Sequence, residues 1–216
     1  MWIKVCGLTS VKNALQVCDA GVDAIGLNFY AKSKRCVDIK TARRIVESLP
    51  ANVEPIGLFV NHTLDEIRTV TRETGIKTIQ LHGDETAEFA TQLRDLKIIR
   101  AIRIDETNIK QLSSEIGSFR TAGVALAGCL IDANVQGSYG GTGHTAPWEM
   151  IASHYDAENW PPLILAGGLN PKNIEAAIRM VQPWGVDTAS GVESAPGMKD
   201  PTQVSEFVSG ATKEND

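Results

Sequence analysis

The residues of this chain whose types and spacing could do chemistry are a cysteine, an aspartate, an arginine and two glycine turns. Gly167-Gly168 follows the apolar run Leu163–Ala166, and Ser190-Gly191 follows Gly185–Ala189. Glycine lets a backbone turn tightly and aim its N–H groups at an anion. Two such turns after consecutive strands make a phosphate grip, whereas either alone reads equally well as a plain strand-to-helix turn. Asn170 and Pro171 suit the N-cap and first position of a following helix, whose dipole would add to the grip. Ile174, Ala177, Ile178 and Val181 supply that helix with one apolar face.

Cys6 closes the first apolar stretch, beside Gly7. It is either a small buried hydrophobe or a base, and a working thiolate needs a cation nearby to lower its pKa. Lys4, two residues back on the same strand face, and Arg35, on a basic loop, are the candidates. Asp132 ends another apolar run; it is either an N-cap-like loop former or a catalytic group, because burial would make its carboxyl a proton donor. Arg35 offers a planar fork of donors for a carboxylate, or is simply a solvated charge. The glycine-rich stretch Gly137–His144 lacks the lysine and spacing of a nucleotide loop and reads as a cover over a ligand.

Elements must hold these groups together. Apolar runs alternate with helical periodicity eight times, from Trp2–Cys6 to Val204–Val208, with no linker between. Thr63 with Glu66 forms a capping box. Residues 1–216 thus read as one α/β domain, a single (β/α)8 TIM barrel, with an open doubly wound sheet as the competitor. Helix four is expected near Glu85–Leu93, and helix five near Glu106–Ile116. The candidate groups all fall at strand C-terminal ends, where barrels carry function.

Composition narrows the classes further. With 43% hydrophobic and 22% charged residues, the chain has the makings of an ordinary globular core. A net charge of −5 without a basic run argues against nucleic acid. No apolar run is long enough to cross a membrane, so no membrane partner is expected. Cys6, Cys18, Cys36 and Cys129 match no zinc spacing, and no metal site is expected. A reduced, cytoplasmic setting is the simplest reading.

The motifs together resemble one family. Lys4-Val5-Cys6-Gly7-Leu8-Thr9, Gln80-Leu81-His82-Gly83-Asp84-Glu85, Asp132-Ala133 with Gly140-Gly141-Thr142-Gly143, Leu165–Asn173 and Asp187–Glu193 occur in the order found in phosphoribosylanthranilate isomerases. The resemblance runs from residue 3 to about 208. It implies an Amadori rearrangement of N-(5'-phosphoribosyl)anthranilate in tryptophan biosynthesis, with Cys6 as general base and Asp132 as general acid. It further implies that Arg35 holds the anthranilate carboxylate, Asp187 lies near the sugar hydroxyls, and Gly167, Gly168, Ser190 and Gly191 grip the phosphate. No cofactor is implied, and the partner is a small phosphoribosyl substrate acting on a monomer or homodimer. Ser33-Lys34-Arg35 departs from the family's commoner Ser-Pro-Arg, and His144–Glu149 from its usual aromatic and acidic pair. Other sugar-phosphate barrel enzymes, such as an epimerase or an indole-glycerol-phosphate synthase, and a phosphate-binding protein without turnover are the rivals.

Overall fold

The computed structural model describes residues 1–104, 108–132 and 146–213. Eight parallel strands close into a barrel in chain order. They are β1 (Trp2–Cys6), β2 (Ala24–Asn28), β3 (Glu54–Phe59), β4 (Thr78–Leu81), β5 (Lys97–Arg103), β6 (Leu126–Asp132), β7 (Leu163–Ala166) and β8 (Gly185–Thr188). Closure is direct, because β1 pairs with β8, with Lys4 opposite Asp187. The open-sheet alternative is thereby excluded.

Side chains alternate across each strand, so each strand feeds two cores. The outward set, including Ile3, Val5, Ile25, Leu27, Ile79, Cys129 and Val186, packs against the helices. The inward set is small: Ala24, Ile56, Ile99, Ala101, Leu130, Ile164 and Ala166, with Trp2 against it. Above this apolar plug the inward positions turn polar. Lys4 and Gln80 are both at most 1% exposed. A buried polar layer costs free energy unless it is paired, so its contacts carry information about purpose.

The outer helices are α1 (Val11–Cys18), α2 (Ile39–Ser48), α3 (Leu64–Thr74), α4 (Ala87–Ala90), α5 (Leu112–Thr121), α6 (Ala146–His154), α7 (Ile174–Val181) and α8 (Pro201–Thr212). Their starts follow capping chemistry. Ser10, Asp38 and Thr86 each accept from a backbone N–H three residues on. Thr63 and Glu66 complete the expected capping box of α3. Asp200 caps α8, with Pro201 in its first turn.

Three boundaries differ from expectation. The fourth helix starts after Thr86 and tightens into a 3₁₀ turn at Thr91–Leu93, because Glu85 is drawn into an ion pair with Arg100. The fifth begins with a 3₁₀ turn at Ile109–Gln111 and runs on to Thr121; its expected start at Glu106 lies outside the described residues. The seventh begins at Ile174, not Pro171. Asn170 instead closes a turn of its own: its Oδ1 accepts from Lys172 N at 2.9 Å, and its N–H donates to Asn173 Oδ1 at 2.8 Å. The Asn-Pro pair that signals a helix start is equally a turn signal, and here the turn wins.

After β8 comes a 3₁₀ turn at Ser190–Val192, then an antiparallel hairpin of β9 (Glu193–Ala195) and β10 (Met198–Lys199). Periodicity gave no sign of this hairpin, which is too short to alternate. Asn13 on α1 clasps it, donating to Lys199 O at 2.9 Å and accepting from Lys199 N at 2.8 Å.

Candidate active site

A cavity of about 390 Å³ opens at the C-terminal ends of the strands. Cys6, Arg35, Asp132 and Asp187 all line it. So do Gly167, Gly168, Ser190 and Gly191. The eight residues singled out in the sequence therefore share one mouth. The cover expected from Gly137–His144 lies outside the described residues.

The two glycine turns interlock. Gly167 and Gly168 sit at φ 92° and 69°, a left-handed conformation that other side chains rarely adopt. Gly191 approaches the other turn so closely that any Cβ would overlap the Leu169 carbonyl. Thr188 Oγ1 fixes the pair by donating to that same carbonyl at 2.7 Å. The result is a rigid rim of backbone between β7 and β8. Because α7 starts at Ile174, these turns and not that helix's N-terminus line the cavity.

Cys6 is 6% exposed, and its Sγ lies against Gly26, where an added Cβ would come within 2.5 Å of the sulfur. Below it, Lys4 is fully buried and donates to Asp187 Oδ1 at 2.9 Å. Burial works against the Lys4 charge, but Asp187 and Cys6 outweigh it and hold the ammonium above its ordinary range. Burial pushes the Cys6 thiol up, while Lys4 and Lys199 pull it back and Asp187 adds to the rise. The expected cation is thus present, yet desolvation dominates and the resting group is a thiol.

Arg35 does fold over the mouth, but not as a free charge. Its Nε and Nη2 donate to Glu193 at 2.7 and 2.6 Å, a bidentate pair. Glu193 Oε1 also accepts from Lys199 Nζ at 2.8 Å and from Gly197 N at 3.1 Å. Burial pushes the Glu193 carboxyl up, but these donors prevail and hold it at about 2. Lys199 is 1% exposed; its ammonium completes its contacts on Ala189 O at 2.9 Å. Glu193 and Lys199 escaped the sequence reading, although both lie in or beside quoted motifs. Their partners are up to 186 positions away, and no local pattern pairs them.

The opposite side holds Asp132, half-buried at the end of β6. His82 Nε2 stands 3.9 Å from its Oδ2, and His82 Nδ1 lies 2.9 Å from Gln80 Nε2. If the Gln80 amide donates, the histidine carries its proton on Nε2, facing Asp132. Burial first, then Arg103, Lys4 and Arg100, lower His82 to about 4, so it is neutral near pH 7. Gln80 Oε1 is buried without a hydrogen-bond partner among the described residues. His62 bridges Val60 N and Phe29 O and packs edge-on to Phe59, a structural role. Among the described residues, no group of three His, Cys, Asp or Glu side chains is placed to hold a metal ion. No helix there is long and apolar enough to cross a membrane.

Comparison with known proteins settles the family. The profile described as N-(5'-phosphoribosyl)anthranilate (PRA) isomerase matches residues 3–210. The chain belongs to the phosphoribosylanthranilate isomerase family. It is 40% identical over 207 residues to the N-(5'-phosphoribosyl)anthranilate isomerase of Thermotoga neapolitana, covering 95% of this chain and 96% of that one. It is 42% identical over 218 residues to the isomerase of Magnetococcus marinus, covering 99% and 96%. The crystal structure of phosphoribosyl anthranilate isomerase from Thermotoga maritima superposes with a TM-score of 0.85 at 34% identity, over 98% of each chain. Another isomerase structure, at 31% identity, TM-score 0.82 and 98% of each chain, is a complex with reduced 1-(o-carboxyphenylamino)-1-deoxyribulose 5-phosphate. A 3-hexulose-6-phosphate synthase from Salmonella typhimurium, with a TM-score of 0.68 at 13% identity, shares the fold alone. As a member of this family the chain is an isomerase.

Proposed function

We propose that the chain isomerises N-(5'-phosphoribosyl)anthranilate to 1-(2-carboxyphenylamino)-1-deoxyribulose 5-phosphate, a step of tryptophan biosynthesis, by general acid–base catalysis. The observation that carries the mechanism is the shared mouth. A thiol and a carboxyl face one cavity whose rim is a backbone turn pair suited to phosphate.

Asp132 donates its proton to the furanose ring oxygen as the bond from that oxygen to C1 breaks. The anthranilate nitrogen lone pair closes on C1, giving a protonated Schiff base. That positive charge acidifies C2–H, and Cys6 as thiolate removes the proton, its electrons forming the enolamine. A proton is then added at C1 while the hydroxyl on C2 gives up its own to the Asp132 carboxylate, which makes C2=O the ketone and restores the acid. The resting thiol fits this order, because the iminium charge arises before a base is needed and favours thiolate, the thiol proton passing to solvent at the mouth. A placed acid and base are each worth about 10²–10⁴-fold. Gly167, Gly168, Ser190 and Gly191 hold the phosphate, which spends remote binding energy on orientation. Arg35 meets the anthranilate carboxylate with the guanidinium edge that Glu193 leaves open. Asp187 lies near the sugar hydroxyls while also balancing Lys4.

The four free cysteines suit a reduced cytoplasmic setting, and a net charge of −5 does not suit nucleic acid. Residues 1–216 act as one domain, a monomer or a homodimer; dimeric phosphoribosylanthranilate isomerase is known from Thermotoga maritima. The test is loss of anthranilate-type fluorescence when the protein meets freshly made phosphoribosylanthranilate. A protein that binds the compound yet yields no ketose product would sink the proposal.

A further inference from the structure

The groups around Cys6 come from every element packed against it. Lys4 belongs to β1, Asp187 to β8, Lys199 to β10 and Arg35 to the segment after β2, while β2 itself offers only Gly26; Glu193 of β9 stands behind them, bound to Arg35 and Lys199. These form two linked ion clusters. Lys4 binds Asp187, and Glu193 binds both Arg35 and Lys199. Three cations thus face two anions, and the assembly is one negative charge short. Three of the five are at least nine-tenths buried as whole residues, namely Lys4, Asp187 and Lys199, so water does little to screen the imbalance. A Cys6 thiolate stands where it would balance that excess, with Asp132 acting on Asp187 from the other side of the mouth. Lys199 stands opposite Glu193 in the β9–β10 hairpin. Asn13 fixes its backbone from α1, and its ammonium spans Ala189 O and Glu193, joining the Ser190-Gly191 turn to the arginine clamp.

Resting on the acid–base reading above, we propose that Lys199 and Glu193 are positioning residues: Lys199 supplies the surplus positive charge that makes the Cys6 thiolate attainable, and Glu193 holds Arg35 in place for the substrate carboxylate. Neither touches the reacting atoms. Their effects on the thiol must therefore have opposite signs. Removing the cation disfavours thiolate, and removing the carboxylate favours it.

The measurement is thiolate absorbance near 240 nm against pH, with Cys6→Ala in each background as the blank that isolates Cys6. Lys199→Met is expected to raise the Cys6 midpoint by about 1 unit, and Glu193→Gln to lower it. Glu193→Gln is also expected to raise KM about tenfold while kcat changes less, since it loosens a binding group and not the acid or base. Midpoints that move together in both variants, or in neither, would overturn the inference, because a merely structural lesion has no reason to change sign. Should Lys199→Met fail to fold, Glu193→Gln decides alone, and an unchanged or raised midpoint overturns it. The titration needs no turnover. A wild-type protein without isomerase activity would defeat the proposed function while the opposed midpoints still upheld charge control of Cys6. Full wild-type activity with unmoved midpoints would defeat this inference only.

Discussion

The two sides of the mouth follow opposite electrostatic plans. On the thiol side, five charged side chains lock around Cys6 through contacts of 2.6–2.9 Å. On the carboxyl side, Asp132 looks across 3.9 Å at a histidine that burial keeps neutral. In the proposed mechanism the base must change from neutral to charged during turnover, and fixed counter-charges favour that change in a desolvated place. In the proposed mechanism the acid must begin protonated, and a histidine held neutral adds no positive charge that would favour the carboxylate. One barrel thus runs both halves of the reaction by varying what surrounds each group, not the groups' own chemistry.

The sharpest way to break the comparison is to remove either reacting group. Cys6→Ala and Asp132→Asn should each lower kcat by at least about 10²-fold with the far-ultraviolet circular dichroism unchanged. Near-normal turnover in either variant would remove that residue from its role. Next in size is the clamp. Arg35→Ala should raise KM by roughly tenfold and kcat should fall less, since a substrate carboxylate contact acts before the chemistry; unaltered affinity would count against it. The third prediction concerns acid stability. His82 sits at about 4 when folded and near its ordinary 6.5 when unfolded. The unfolded chain therefore binds the extra proton, and stability falls as pH drops from 6.5 to 4, at up to about 1.4 kcal/mol per unit. His82→Asn should flatten denaturant midpoints across that window, and an equally steep decline would refute the assignment. Glu193 adds its own loss below 4.5, as pH falls toward its folded value of about 2. The smallest effect belongs to a solvated pair far from the mouth: Lys213→Ala, which breaks the exposed bridge to Glu175, should change stability by less than about 1 kcal/mol.

The two sides also differed in how far the sequence revealed them. The barrel and its strand ends were legible because an apolar run flanked by turns has one reading at a time. Cys6, Asp132 and the glycine turns could be picked out because a strand end is a position, and position needs no partner. The charge lock could not. Lys199 meets Asn13 across 186 residues, and Glu193 meets Arg35 across 158, so only closure of the barrel brings them together. Asn170-Pro171 misled for a different reason: the same two residues favour a helix start and a closed turn, and the choice depended on Asn173. Gln80 was invisible as a member of the acid side, since an inward glutamine looks like any other polar residue on a strand until its neighbour His82 is seen.

Pairing of β1 with β8 has an outcome in time as well as in space. Lys4 and Cys6 lie on the first strand of the barrel, whereas Asp187, Glu193 and Lys199 lie on the eighth strand and the hairpin after it. A nascent chain halted before residue 185 would carry a lysine with nothing to neutralise it and a cysteine with no tuned surroundings. The surroundings of Cys6 are therefore complete only once the eighth strand and its hairpin have joined the first strand.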